Sequence, residues 1–222
     1  MLNKDIHRQK MYDILQDIFT SEVWKYLAFK WGTACYFFHT LDRFSTDLDF
    51  DLIKDYENLD SDILNILKKY WDVKNWKYNI KLSYWEWDVN IKIDINRTVW
   101  DNNSYELLNF YGTDILTQDK PTIFANKLVA LTERNTTRDI YDVYFFFKNS
   151  FEINDKLIIE RTKKTRKELF TQIISKLKNL WETYKILNWL WEVLRDEKHK
   201  AFVKNKLVKE LIWVLQFKVD FE

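Results

Sequence analysis

The sequence predicts an α+β protein in which a mixed core of helices and strands precedes a helical C-terminal part. Residues 47–53 and 88–96 alternate polar and apolar side chains with the period of two that is typical of half-buried strands. Residues 156–222 are rich in Lys, Leu, Ile and Glu and contain neither Gly nor Pro, which favours helices. The change of character near residues 149–156 predicts a core domain over 1–150 and a helical region over 151–222.

Helical spacing of apolar residues accounts for much of the first third of the chain. We predict helices within residues 5–29, 34–41 and 59–70, with Thr33 and Ser61 as N-caps of the second and third. The alternating residues 47–53 form a strand between these last two helices.

The second part of the predicted core begins with paired strands. Residues 76–83 and 88–96 form the pair, residues 101–120 form strand and loop, and Pro121 closes that segment. The helical pattern then returns. It covers residues 122–131 and 138–148, and three or four further helices occupy 156–222.

Composition excludes several classes of protein. A chain of 222 residues can bury a sizeable core, and a net charge of +1 argues against a strongly basic coat for nucleic acid. The single cysteine, Cys35, excludes an internal disulfide and a multi-cysteine metal site. The first ten residues are polar and no apolar run reaches membrane-spanning length, so we expect a cytoplasmic protein without membrane partners.

Glycine and tryptophan depart most from ordinary usage, with 2 glycines and 11 tryptophans. Trp31, Trp71, Trp85 and Trp87 stand at probable turns or helix ends, where glycine is the usual residue. We hypothesise that the gene reads UGA as glycine and was translated here with UGA as tryptophan. The alternative is a genuinely tryptophan-rich protein from an AT-rich genome.

Three acids in the run Asp47-Leu48-Asp49-Phe50-Asp51 carry the chemistry of the core. In a strand the three carboxylates share one face, about 6.6 Å apart at the backbone from one to the next. Like charges placed together indicate a cation that binds them, and carboxylate oxygens are the ligands that Mg²⁺ prefers. The alternative is a solvated edge strand with its acids turned outward.

Gly32 and Thr33 lie upstream of this strand, at a tight turn into a helix. The first turn of a helix offers free N–H groups and the positive end of the helix dipole, which suit a phosphate. The following strand then presents Asp47 and Asp49 beside that phosphate, and Asp94 on a second strand can supply a third carboxylate. This order of turn, helix and acidic strand predicts metal-assisted phosphoryl chemistry.

Two segments resemble a known family. Residues 30–34 (Lys-Trp-Gly-Thr-Ala) and 43–51 (Arg-Phe-Ser-Thr-Asp-Leu-Asp-Phe-Asp) resemble the first motif of the AbiEii/AbiGii toxin family. Residues 124–131, followed by Arg134 and by 138–142, resemble its second hallmark. The family lies in the polymerase-beta-like nucleotidyltransferase superfamily, and the MenT toxins are relatives. The resemblance covers roughly residues 20–150.

The resemblance implies a polymerase-beta-like core, a mixed sheet flanked by helices, and a toxin of a type IV-like toxin–antitoxin, abortive-infection or phage-defence system. Such enzymes transfer a nucleotide from an NTP with Mg²⁺ or Mn²⁺, and the acceptor is a tRNA 3′ end in some relatives. A cognate antitoxin, encoded nearby, is the implied protein partner.

The resemblance also assigns roles residue by residue. It implies that Gly32 and Thr33, with Ser45, hold the nucleotide and that Asp47 and Asp49 bind metal, with Asp94 as a third acid. The roles implied for the second hallmark are a triphosphate contact for Lys127, completion of the site by Asp139 with Asp142, and a phosphate or acid contact for Arg138.

The residues of the second hallmark, and a basic run after it, also have structural interpretations. Lys127 can be a helix lysine that extends past apolar neighbours, and Arg138, Asp139 and Asp142 can form a surface ion-pair set. The basic run at 161–167 is either a solvated helix face or a contact for an RNA backbone.

One departure bears on activity. The family has two glycines where this chain has Trp31-Gly32, and an indole at the first position would obstruct the nucleotide. Two other functions therefore stand beside the leading one. They are an inactive relative that binds nucleotide or antitoxin, and a kinase or AMP-transferring enzyme that acts on protein.

Overall fold

The computed structural model describes residues 3–70, 72–76, 79–83, 90–181, 190, 193–194 and 196–221. The interpretations of Trp71, Trp85 and Trp87 fall outside these ranges. The chain packs as two compact units. The first unit consists of Met1–Thr40, Phe44–Val99 and Tyr105–Gln118, and the second of Leu41–Arg43, Trp100–Ser104 and Asp119–Glu222.

Within the described residues, the first unit forms a seven-stranded sheet of order β3-β4-β5-β2-β1-β7-β6. The strands are β1 (Leu27–Lys30), β2 (Leu48–Leu52), β3 (Asp72–Trp76), β4 (Asn79–Ser83), β5 (Asn90–Asn96), β6 (Tyr105–Phe110) and β7 (Thr113–Gln118). β2 pairs antiparallel with β1 and parallel with β5. The sheet is therefore mixed, as predicted, and the acidic strand lies inside it rather than at an edge.

Helices α1 (Lys4–Phe19), α2 (Trp31–Phe38) and α3 (Leu59–Leu67) complete the first unit, with a 3-10 turn at Glu22–Tyr26. Asn3 caps α1 by accepting the backbone N–H groups of Asp5 and Ile6. The core of this unit is formed by the apolar side of α1 and the apolar face of the central strands. It includes Ile14, Leu15, Ile18, Phe29, Leu48 and Phe50, all fully buried.

Two predictions for the first third of the chain are wrong. Leu27–Lys30 is a strand and not part of a helix, because its four residues are all buried and a continuous apolar run suits a strand covered on both faces. α2 begins at Trp31 with Lys30 as its N-cap, so Thr33 lies inside the first turn and does not precede it.

The predicted cap of the third helix is also wrong. The cap position belongs to Asn58, and Ser61 lies inside α3, where its hydroxyl donates to the Asn58 carbonyl at 2.7 Å. α3 ends at Leu67, and the chain then forms β3, which the sequence pattern did not predict. The strand predicted over 47–53 is confirmed as β2. The strand predicted over 88–96 is confirmed as β5 from residue 90 onward, and residues 88 and 89 lie outside the described ranges.

The second unit is helical. Its helices are α4 (Lys120–Glu133), α5 (Thr137–Lys148), α6 (Asp155–Thr162), α7 (Arg166–Trp181), α8 (Glu197–Asn205) and α9 (Leu207–Phe221). Asp119 caps α4 and Pro121 occupies its first turn, where a missing N–H costs nothing. The predicted helices over 122–131 and 138–148 are confirmed. Packing groups them with the later helices, and the domain boundary near residue 150 stays a prediction.

No helix among the described residues combines enough length with enough hydrophobicity to cross a membrane.

Candidate functional site

The turn between β1 and α2 forces one residue into an unusual backbone conformation. Trp31 has φ +62°, in the left-handed region where a Cβ costs about 1–2 kcal/mol and glycine is favoured. The Lys30 ammonium lies 4.8 Å from the centroid of the Trp31 ring. The geometry of this turn is therefore that of a glycine position, which supports the recoding hypothesis; that hypothesis stays a prediction.

The first turn of α2 is tied to the start of the acidic strand. The buried Thr33 hydroxyl donates to the backbone carbonyl of Asp47 and lies 2.7 Å from the Ser45 hydroxyl. Since the Thr33 proton is used on Asp47, Ser45 donates to Thr33. The two hydroxyls thus hold Asp47 beside the helix N-terminus. The N-cap residue Lys30 makes no side-chain cap hydrogen bond. The N–H groups in the first turn of a helix can donate to a bound anion.

The register of β2 gathers further polar groups on one face of the sheet. Asp49 is the Cα partner of Lys30 in β1 and of Asp94 in β5. Paired residues of neighbouring strands direct their side chains to the same face. Asp47 and Asp49 are half-buried at this face, as is Asp94. Within β2 the predicted alternation is confirmed, because Asp49 and Asp51 share one face and the apolar residues share the other; Asp47 directly precedes the strand. Asp94 lies opposite Asp49.

Asp51 has a different environment on the same face. Its side chain is fully buried, and Lys30 Nζ lies 2.6 Å from Oδ1. It also accepts hydrogen bonds from Gln118 Nε2 at 2.6 Å, Asn96 Nδ2 at 3.0 Å and the Tyr105 hydroxyl at 3.1 Å. Four donors from four other strands (β1, β5, β6 and β7) bind its oxygens, so Asp51 holds the sheet together.

The arrangement of the carboxylates on this face determines how well it fits a metal ion. Within the described ranges, no group of three or more His, Cys, Asp or Glu side chains is arranged to hold a metal ion. Asp94 accepts a hydrogen bond from Lys92. A magnesium ion that binds together with substrate phosphates takes only one or two carboxylates, so Asp47 and Asp49 fit that chemistry. The third-ligand role of Asp94 remains a prediction.

The second unit contains a chain of five alternating charges. The Arg43 guanidinium binds both oxygens of Asp142 at 2.6 and 2.7 Å. Lys127 Nζ lies 2.9 Å from Asp142 and 2.7 Å from Asp139. Arg134 binds both oxygens of Asp139 at 2.7 and 3.2 Å. We call this set, Arg43–Asp142–Lys127–Asp139–Arg134, the buried ion chain.

Helix geometry explains how the buried ion chain forms. Asp139 and Asp142 lie three residues apart on α5 and so face the same side, toward Lys127 of α4. Four of its five members are almost fully buried, and the fifth, Arg134 at the end of α4, is exposed to solvent. The surface ion-pair interpretation of Asp139 and Asp142 is therefore wrong, because these carboxylates lie inside the unit.

Charge and burial act in opposite directions on these groups. Burial would raise the pKa of the Asp139 carboxyl, but Lys127 and Arg134 lower it to about 2. Burial likewise opposes ionisation of Asp142, and Arg43 with Lys127 keeps its pKa below the usual value. Burial alone would lower the pKa of Lys127, and its two carboxylates raise it instead. All three groups are therefore ionised at neutral pH, with Lys127 as the cation between two carboxylates.

Sequence reasoning missed the partners that hold these residues. Arg43 stood inside the first motif with no role, and it pairs with Asp142, 99 residues away. Lys30 and Gln118 were likewise not assigned, and they hold Asp51. Arg134 was named beside the second hallmark without a role, and it binds Asp139. Arg138, which was assigned a phosphate or acid contact, is half-buried on α5, and that contact remains a prediction.

Comparisons with known proteins extend this description. The family model described as "Nucleotidyl transferase AbiEii toxin, Type IV TA system" matches residues 13–205. No curated protein sequence matches the chain.

Solved structures share the fold. MenT4, a nucleotidyltransferase toxin from Mycobacterium tuberculosis, has a TM-score of 0.66 at 16% identity, over 96% of this chain and 84% of that one. A protein from H. pylori assigned as a nucleotidyltransferase has a TM-score of 0.63 at 19% identity, over 99% and 96% of the two chains. JHP933 from Helicobacter pylori has a TM-score of 0.57 at 17% identity, over the same two shares. The polymerase-beta-like fold predicted from the motifs is that of these nucleotidyltransferases.

Proposed function

The chain belongs to the AbiEii family of nucleotidyltransferase toxins, and from this premise we propose that it transfers a nucleotide from an NTP to an RNA acceptor, a tRNA 3′ end. The reaction forms a bond between the acceptor hydroxyl oxygen and the α-phosphorus. It breaks the bond from that phosphorus to the pyrophosphate leaving group, and the hydroxyl proton passes to a carboxylate. The consequence for a bacterial cell is growth inhibition, which a cognate antitoxin counteracts.

One observation carries this proposal. The Thr33 hydroxyl binds the backbone of Asp47, so the N-terminus of α2 and the acidic end of β2 are held together. A helix N-terminus attracts phosphate, and neighbouring carboxylates attract the cation that accompanies a triphosphate. The pairing of Asp49 with Asp94 adds a further carboxylate to the same face.

Roles in the first unit follow from these contacts. The backbone N–H groups of Gly32 and Thr33 bind the triphosphate, and Ser45 supports Thr33. Asp47 and Asp49 would hold Mg²⁺, which when bound neutralises the triphosphate and makes pyrophosphate a better leaving group. Asp94, which accepts a hydrogen bond from Lys92, is the additional acid of this face and would reach the ion only after it exchanges that partner.

Roles in the second unit follow from the buried ion chain. Lys127 keeps its charge because Asp139 and Asp142 flank it, and a fixed cation is what binding a triphosphate requires. Both oxygens of Asp139 are engaged by Lys127 and Arg134. A carboxyl with a pKa of about 2 is a poor base, so we assign Asp139 to positioning Lys127 rather than to proton transfer.

The test is incorporation of radiolabel from each α-labelled NTP into total bacterial RNA by the full chain. We expect Mg²⁺-dependent labelling of the RNA fraction at tRNA size, and loss of at least about a thousandfold in the Asp49→Asn variant. Asp55→Asn is the matched control, because Asp55 is an exposed acid shortly after β2 on the same segment. It should retain the activity and the growth inhibition of the unchanged chain.

Other outcomes identify the alternatives. Label in the protein fraction indicates an AMP-transferring enzyme, and label only from γ-labelled ATP indicates a kinase. Absence of labelling by both the chain and its Trp31→Gly variant, with nucleotide still bound, indicates an inactive binding module. Unchanged activity of Asp49→Asn refutes the assigned site.

A further inference from the structure

The basic run at 161–167 contains five cations and no acid among its seven residues. The structure places it around the junction of two helices and not along one helix face. α6 ends at Thr162, Lys163 adopts φ +59°, and α7 begins at Arg166. The solvated-helix-face interpretation of this run is therefore wrong, because the chain turns within it.

A groove of about 410 Å³ lies at this junction. Arg166, Lys167 and Lys218 line it with Asp155, and Ile159 and Phe170 supply apolar surface. Arg166 binds both oxygens of Asp155 at 2.7 and 2.6 Å, which orients its guanidinium at the groove. Three cations against one carboxylate leave this groove, the basic groove, positively charged.

Three aromatic side chains project from α9 next to this groove. Trp213, Phe217 and Phe221 are 66%, 48% and 75% exposed, which is unusual for such large apolar residues. Their spacing of four residues aligns them along one side of the helix. Trp213 and Phe217 are stacked at 25°, with 6.0 Å between ring centroids. We call these three residues the aromatic stripe.

Lys218 joins the two features. It lines the basic groove, and Phe221 follows it by three residues, so the two side chains are neighbours on the surface of α9. The basic groove and the aromatic stripe are therefore adjacent where Lys218 and Phe221 neighbour each other on α9.

This pairing of charge and aromatic rings matches single-stranded nucleic acid. Phosphates bind to a positive groove, and bases stack on exposed rings. Removing one such ring lowers the affinity for the nucleic acid about fivefold or more. An acidic peptide matches the charge as well, but the exposed rings beside the groove favour a ligand whose bases can stack on them. We propose that the basic groove and the aromatic stripe bind the single-stranded acceptor RNA. This inference rests on the proposed function, which requires such an acceptor.

The experiment measures RNA binding without catalysis. Full-length chain carrying Asp49→Asn is titrated into a fluorescein-labelled single-stranded RNA of about 15 nucleotides, and anisotropy is followed between about 50 and 200 mM salt. With Lys167→Glu and Lys218→Glu together, we expect at least tenfold weaker binding and a salt slope smaller by about two phosphate contacts. Trp213→Ala and Phe221→Ala should each weaken binding about fivefold or more, with little change in salt slope.

The matched control is Lys178→Glu, which makes the same charge change at an exposed position near the other end of α7. It should change affinity by less than about twofold. Circular dichroism checks that each variant is folded. If the double glutamate variant does not fold, the double variant Lys167→Gln with Lys218→Gln takes its place.

Three results would overturn the inference. One is RNA affinity unchanged by the groove and stripe variants. A second is polyglutamate that binds the groove while RNA does not. The third is a stripe variant that alters only the sedimentation of the protein, since the stripe then covers a second copy. Failure of the proposed function is recorded separately, as absent labelling by the unchanged chain, because binding here does not depend on catalysis.

Discussion

The two units use aspartates in opposite ways. In the first unit, Asp47, Asp49 and Asp94 are half-buried on one face of the sheet. In the second, Asp139 and Asp142 are almost fully buried, and every oxygen meets an arginine or the lysine between them. Carboxylates inside a unit must be neutralised by the protein itself, because burying an unpaired charge is costly. Carboxylates that retain access to solvent can serve a cation that arrives with a substrate.

Asp51 shows that lying on the same face of the sheet does not determine whether an aspartate is neutralised by the protein or is accessible to a cation. It alternates with Asp47 and Asp49, yet it is fully buried and bound by Lys30 and Gln118. Its environment resembles that of Asp142 more than that of Asp49.

The largest effect on stability should come from breaking the buried ion chain. Asp142→Ala leaves Arg43 and Lys127 buried without their shared carboxylate, and we expect a loss of about 3–5 kcal/mol in the free energy of unfolding. Asp49→Ala should change that free energy by less than about 1 kcal/mol, because Asp49 is only half-buried. Urea denaturation of both variants measures the contrast. Equal losses of unfolding free energy in the two variants would show that the acids of the two units contribute to stability in the same way.

Acid should weaken the second unit through Asp139. Its pKa is about 2 in the folded chain, against an ordinary value of 3.8. A lowered carboxyl pKa stabilises the folded state at pH values above 3.8, and that stabilisation is lost as the pH falls from about 4 to 2. The loss is about 2 kcal/mol. Urea titrations between pH 5 and 2 measure it, and the Asp139→Asn variant should show a flatter dependence over the same range.

Alkali should also weaken the buried ion chain, through Lys127. Its pKa is shifted in the opposite direction to that of Asp139. The pKa of Lys127 is raised in the folded state, so its contribution is complete at pH values below its ordinary pKa of 10.5. It is lost as the pH rises past the folded pKa. Lys127→Met should remove this alkaline dependence, whereas Lys178→Met, at an exposed lysine of α7, should leave it unchanged. An alkaline profile that Lys127→Met does not alter would contradict the buried charge.

The smallest effect on stability concerns the turn into α2. Trp31→Gly should relieve the left-handed strain and raise the free energy of unfolding by up to about 1 kcal/mol. Trp31→Ala is the matched variant, because it removes the indole but keeps the Cβ. If the indole obstructs the nucleotide, both variants gain NTP affinity in calorimetry, and only the glycine variant gains stability.

Codon inspection tests the origin of this residue directly. UGA at positions 31, 85 and 87 supports translation of glycine codons as tryptophan. UGG at these positions refutes it, and the strained tryptophan is then native.

Local pattern carried the predictions that the structure confirms. The period of two in residues 88–96 and the helical spacing in 122–131 and 138–148 depend only on neighbours in sequence. Predictions failed where long-range packing decided. Leu27–Lys30 became a strand because β2 and β7 flank it on both sides, and neither neighbour is visible in a local window. The N-caps at Thr33 and Ser61 failed by a few residues, because the helix starts depend on backbone angles that several residue types allow.

The sequence by itself determined that acidic residues alternate on one strand, that a Gly-Thr turn precedes them, and that a Lys and an Asp-rich segment follow at family spacing. Side-chain alternation in a strand is a property of the backbone, so no other part of the chain was needed to derive it. Only the tertiary structure decided which aspartates are neutralised from within. That choice depends on cations that arrive from far along the chain, Lys30 at Asp51 and Arg43 at Asp142. Burial and charge partners are properties of the packed molecule, and they separate carboxylates that the sequence pattern presents as equals.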